Sequence, residues 1–199
     1  SVAQAANRMG TSSTKVLNDM AKQSLGMAKA FGLPAKAISR DMGKAMQDLA
    51  HFGHLSSKEI AVAATFANKL GVSVDKLTGI MDATATFDQA AEGMSKLNQQ
   101  YGTNIDATEI MMAQSQEQKF AMIAKGFRET GKDLTKLTYQ DRMFIKAQSG
   151  MTDEALNAMI AHKNVGEILD DVTKKADQNE KKTLTQAEAM QELGKSIER

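Results

Sequence analysis

Three groups of residues have types and spacings that chemistry uses. Gly126-Phe127-Arg128-Glu129-Thr130-Gly131-Lys132 carries the glycine and lysine spacing of a phosphate-binding loop. Such a loop needs Ser or Thr next, for Mg²⁺, and a strand before it. Here Asp133 follows, and Phe120, Met122, Ile123 and Phe127 repeat at helical spacing ahead of it. A carboxylate in that place repels phosphate, so Gly131 reads as a helix stop. Asp48, His51 and His54 stand three apart, which on one continuous helix gathers three metal ligands. Gly53 falls between the two histidines and is expected to end that helix. Carboxylates are plentiful, but nothing pairs two of them across a cleft, and no strand-turn-helix elbow presents a serine nucleophile.

The third group is Ala67, Gly71, Leu77 and Ile80, spaced as in a helix-turn-helix. Its second helix reads Val74-Asp75-Lys76-Leu77-Thr78-Gly79-Ile80-Met81-Asp82, one base against two acids. Binding along a phosphate backbone demands net positive charge. Any two short helices crossing at a tight glycine turn give the same spacing. The chain is therefore expected to be no enzyme and to hold no cofactor or metal. It is also expected to bind no specific nucleic acid, with a helix-turn-helix regulator kept as an alternative.

The elements around these groups are helices. The 199 residues include one proline, Pro34, and no cysteine, which rules out disulfides and thiolate metal sites. Ala, Leu, Met, Lys, Gln and Glu dominate, a bias that favours helix throughout. No stretch approaches the roughly 18–20 apolar residues of a membrane span, so no membrane role is expected of this segment. Net charge is +1, unevenly spread: residues 1–55 hold seven Lys/Arg and three Asp/Glu. The chain opens Ser1-Val2-Ala3-Gln4 without an initiator Met, as a fragment or a processed product does. The 14 methionines suit surfaces that fit a partner adaptively, and equally suit gaps in a core.

Apolar runs repeatedly end at a glycine: Gly32, Gly53, Gly71, Gly102, Gly131 and Gly150. Ser56, Asp106, Thr138 and Thr185 each stand three residues before an acid, the signature of a helix start. This punctuation predicts helices near 57–70, 74–84, 87–100, 107–114, 116–130, 139–149, 153–163, 166–177 and 186–197. Phe87, Phe120, Phe127 and Phe144 are expected in the core. The division expected is an amphipathic helical arm or hairpin over 1–55, a compact multi-helix domain over 56–164 and a C-terminal helical extension over 165–199. The fold class is all-α.

In the arm, Arg8, Lys15, Lys22, Lys29 and Lys36 recur every seven residues. Met9, Val16, Leu17, Met20, Ala21, Met27, Ala28, Ala30 and Phe31 lie opposite this basic column. A hairpin with a solvated lysine face and a multi-chain coiled coil both fit. Near the other end, the charged run from Lys174 to Lys182 reads as a solvated turn or exposed helix. Met20, Met27, Met111 and Met112 are the candidate partner-facing residues.

One stretch resembles a known family. Ala67-Asn68-Lys69-Leu70-Gly71-Val72, Phe87-Asp88-Gln89-Ala90-Ala91-Glu92, Leu97-Asn98 and Tyr101-Gly102-Thr103-Asn104-Ile105-Asp106 follow in order. Phe127-Arg128-Glu129-Thr130-Gly131 and Gly150-Met151-Thr152 complete the string. Together they resemble a segment of tail tape measure proteins from contractile-tailed bacteriophages, over roughly half of the chain, Phe66 to about Ile160. The resemblance implies a structural virion protein, assembled in the bacterial cytoplasm and placed in the virion tail. Its length would help set tail length and one end would anchor at the tail tip or baseplate hub. The partners implied are other copies of the chain, tail tube proteins and hub proteins. A peptidoglycan-cutting domain and long apolar segments, found in some members, have no counterpart here. A helical protein–protein adaptor, or another virion component, is the alternative reading.

Overall fold

The computed structural model describes Asn7 and residues 12–197, with side chains through residue 182. The chain is all-α, 78% helical, with no strand among the described residues. It packs as two compact units, residues 1–65 together with 171–199, and residues 66–170. The segments 1–55 and 165–199 that the sequence sets apart thus supply most of a single unit.

The first unit is built on a helical hairpin. Helix α1 (Ser13–Phe31) starts at Ser12, whose hydroxyl accepts the Lys15 N–H at 3.2 Å. It ends at Gly32, in the left-handed region at φ 64°, and Pro34 then opens α2 (Ala35–Gln47). The buried face of α1 is Val16, Met20, Gln23, Ser24, Met27 and Ala28; that of α2 is Ile38, Asp41, Met42, Ala45 and Met46. Asp48 closes α2 and accepts the His51 N–H at the start of the one-turn α3 (Leu49–Phe52). The first turns of α4 (Ser57–Lys69) and residues 171 onward of α11 (Val165–Ile197) complete the unit. There Lys58 Nζ reaches Asp177 at 3.1 Å and Glu180 at 3.0 Å, and Asn179 donates to Gln23 Oε1 at 3.0 Å. Met27, Ile38, Met42 and Phe52 are almost wholly buried. Each contributes about 1.5–3 kcal/mol through the apolar area it removes from water.

The second unit runs from Phe66 in α4 through a 3₁₀ turn (Val74–Lys76), α5 (Gly79–Ala83), α6 (Phe87–Tyr101) and α7 (Ala107–Met112). Helix α8 (Gln116–Glu129), a 3₁₀ turn (Leu134–Lys136), α9 (Tyr139–Ser149), α10 (Asp153–Ala161) and the start of α11 follow. Its core is aromatic at two points. Phe66 meets Phe120 edge-on at 6.1 Å, and Tyr101 lies against Phe127 at 5.4 Å and Phe144 at 6.1 Å. Leu77, Ile80, Met94, Leu97 and Ile110 fill the space between.

Several sequence expectations change. The helix expected over 74–84 is a 3₁₀ turn and a separate five-residue helix. The break falls at Leu77-Thr78, where the Thr78 hydroxyl donates to the Asp75 carbonyl. The helices expected at 166–177 and 186–197 are one helix of 33 residues. Residues 174–182 contain no Gly or Pro and include four Lys, so nothing in them stops a helix. Thr185 and Glu188 therefore lie inside α11, their side chains outside the described residues, as are Arg8 and Met9. Gly53 is right-handed, at φ −66°, unlike the other five glycine stops. Phe87 is exposed and Phe144 half-buried, whereas Phe120 and Phe127 are core. Phe87 is the first residue of α6, and that position leaves it at the rim of the unit.

Candidate partner surface

The residues that mimic chemical motifs are tied up in closing helices. Lys132, the would-be phosphate lysine, donates to the carbonyl of Tyr101, the last residue of α6, at 2.7 Å. Asp133 accepts the Thr135 N–H at 3.0 Å and starts the second 3₁₀ turn; the Thr135 hydroxyl and N–H hold its carboxyl below the usual range. Arg128 lays one guanidinium nitrogen against the carbonyls of Met159, Ile160 and His162, at 2.7, 3.1 and 3.0 Å. Those are carbonyls at the end of α10, where backbone acceptors run out of helical partners and a cation satisfies them well.

Asp48 and His51 do meet, Oδ2 to Nδ1 at 2.7 Å, but α2 ends at Asp48 and a new turn begins there. Among the described residues no group of three or more His, Cys, Asp or Glu is placed to hold a metal ion. The helix-turn-helix positions Ala67, Leu77 and Ile80 are buried around the Gly71 turn. The element after the turn is too short to lie along a groove. Lys119 is buried in the second unit, with Nζ on the Thr84 hydroxyl at 2.8 Å and the Thr84 carbonyl at 3.4 Å. Burial pushes its pKa down, and its hydrogen bonds close the end of α5.

Among the described residues, the second unit has an open cleft of about 450 Å³ beside α8 and the start of α11 and another of about 300 Å³ beside Tyr101 and Leu134. Neither gathers a nucleophile with a base. No helix among the described residues is long and apolar enough to cross a membrane. The large apolar side chains left in solvent among the described residues are Leu17 and Leu25 on α1, Phe87 on α6, Met112 on α7, and Tyr139 and Met143 one turn apart on α9. Tyr139 is 77% exposed and Met112 75%.

Of the four methionines expected to face a partner, only Met112 stands fully in solvent; Met111 is half-covered. Met20 and Met27 are buried in the first unit, because the hairpin closes over that side of α1. The spacing of α1 placed Leu17 with the buried set, and the structure leaves it out. Helical spacing finds an apolar arc but not how much of it a neighbour covers. No family model, curated protein or solved structure matches this chain.

Proposed function

We propose that this chain is a structural segment of a tail tape measure protein from a contractile-tailed bacteriophage, anchored at the tail tip or baseplate hub. The observation that carries the reading is where the resembling string falls. From Phe66 to Ile160 it lies within one compact unit, residues 66–170. In that unit Gly71, Gly102, Gly131 and Gly150 take φ of 74, 72, 68 and 71° as helix stops, and Asp106 and Thr152 cap α7 and α10. Part of the string is thus turn and cap positions, the kind of residue that specifies a shape, and the rest lies within the helices they bound. A tip-anchoring knob needs a fixed shape and an apolar surface, and Met112, Tyr139 and Met143 supply the second. The same surface would serve a helical adaptor outside any particle.

Tail length separates the two. An in-frame deletion of about 100 residues from the parent gene, outside this segment, should shorten tails by about 150 Å, the helical rise over that length. Tails of normal length by electron microscopy, or a gene that builds no tail, would overturn the reading in favour of the adaptor.

A further inference from the structure

We propose that the solvent face of α1 is a docking surface for an acidic amphipathic helix of another protein. The inference stands on the exposure and charge of α1 and does not rest on the tape measure reading. Leu17 is 51% exposed and Leu25 61%, and exposed Ala21 lies between them at the same four-residue spacing. At 3.6 residues per turn the three span about 80° of the helix circumference. Exposed Lys29, Lys22 and Lys15 begin about 40° beyond Leu25 and cover the next sector. The arc from Leu17 round to Lys15 carries three lysines and no carboxylate; Asp19, the single acid of α1, lies past its edge and is half-buried.

That pattern selects among occupants. A second copy docking by the same face would bring its own lysines against these, like charge on like charge. A lipid surface asks for a broad apolar face inserted below the headgroups. Here the apolar residues Val16, Met20 and Met27 point the other way, into the first unit, and leave only a narrow ridge in solvent. A helix with an apolar ridge and glutamates beside it matches both features. Its ridge packs on Leu17, Ala21 and Leu25 while its carboxylates reach the lysine column, an arrangement that steers encounter and fixes register. One helix on one helix over about three turns is a small interface, below the size of stable complexes, so the affinity expected is micromolar.

The test uses the whole chain and a labelled synthetic helix with leucines along one face and glutamates flanking them, titrated by fluorescence anisotropy. Binding should weaken as salt rises. It should fall about tenfold in Leu17→Asp/Leu25→Asp. In Lys15→Glu/Lys22→Glu/Lys29→Glu it should shift to a helix flanked by lysines instead. These residues are exposed, so circular dichroism melts should match wild type; if the leucine variant fails to fold, the charge reversal decides alone. Equal binding of acidic and basic helices by the wild-type chain overturns the proposal, as does unchanged binding in a folded leucine variant. A dimer in sedimentation that the leucine changes abolish would make the occupant a second copy. Binding to phosphatidylserine vesicles but not to the acidic helix would make it a lipid surface. Either result overturns the proposal.

Discussion

The side-chain amide of Asn98 holds both backbone polar groups of Ile105: Oδ1 accepts its N–H and Nδ2 donates to its carbonyl, each at 2.9 Å. The same Oδ1 accepts the Thr103 hydroxyl at 2.7 Å. One residue of α6 thereby fixes the loop that leaves Gly102 and brings Ile105 over Gly126, where any Cβ would collide with the Ile105 side chain. Asn98→Ala should destabilise the protein by about 1–3 kcal/mol in urea unfolding, because it strips a part-buried loop of its partners. Asn98→Asp should not rescue it, since a carboxylate keeps the acceptor and sets a negative charge against the Ile105 carbonyl. Wild-type stability in Asn98→Ala would mean that water satisfies the loop equally well.

Arg128 does comparable work at the end of α10. Its three carbonyl contacts are charge-assisted, so Arg128→Met should cost about 1.5–3 kcal/mol. Arg128→Lys should recover part of this, because all three contacts run from one nitrogen and an ammonium also offers its donors from a single point. A lysine variant as stable as wild type would show that charge alone suffices there.

Glycine serves two purposes here, and substitution separates them. A Cβ on Gly79 would meet the Gly150 carbonyl, and one on Gly93 the Gln148 carbonyl, both backbone atoms that cannot step aside. Gly79→Ala and Gly93→Ala should therefore lower stability by about 1–3 kcal/mol each, the usual range for overpacking. Gly43 sits within α2 with open space around its Cβ position. Gly43→Ala should raise stability by about 0.4–1 kcal/mol through a stiffer unfolded chain. A melting temperature that rises in Gly79→Ala or Gly93→Ala would contradict the close approach.

The helical class and most helix ends were legible because they are written locally. Ser115, Thr138 and Thr152 each cap a helix with their own hydroxyl, and Gly102 and Gly150 close helices with their own φ. What could not be read depends on distant neighbours. Leu17 and Met20 are both apolar and three residues apart on α1, yet one is exposed and the other buried. Asn98 and Arg128 could be quoted from the sequence as part of a resemblance, but their roles, seven and some thirty residues along the chain, needed coordinates. The division into units was hidden for the same reason, since residues 171 onward belong to the unit of the hairpin, with Asn179 on Gln23 and Asp177 on Lys58.

Two ionisable residues should shape the pH range of the second unit from opposite ends. Asp141 accepts the Thr138 hydroxyl at 2.6 Å and N–H at 3.0 Å, and these hold its carboxyl below the usual range. A folded value below the unfolded one means stability present above about pH 3.9 and lost as pH falls through the folded value. Tyr101 is shifted the other way, pushed up by burial and then by the Asp141 carboxylate its hydroxyl meets at 3.1 Å. Its contribution is complete below about pH 10 and is lost as pH rises through the folded value. Asp141→Asn should flatten the acid limb of melting temperature against pH, and Tyr101→Phe the alkaline limb. An unchanged acid limb in the first variant would assign acid unfolding to other carboxylates.

Methionine position makes the sharpest contrast. Met112 ends α7 in solvent, whereas Met27 is wholly enclosed by the first unit. Met112→Lys exchanges one exposed side chain for another, so stability should stay within about 0.5 kcal/mol of wild type. Met27→Lys forces an ammonium into an apolar site, a change that costs more than about 4 kcal/mol where no counter-charge is at hand. Chemical oxidation reads the same difference without mutation. Peroxide should convert Met112 to the sulfoxide early, while Met27 reacts only as the unit opens. Peptide mass mapping along the time course would follow both. Equal oxidation rates in the native chain would mean that the hairpin does not close over Met27, and the buried face assigned to α1 would be wrong.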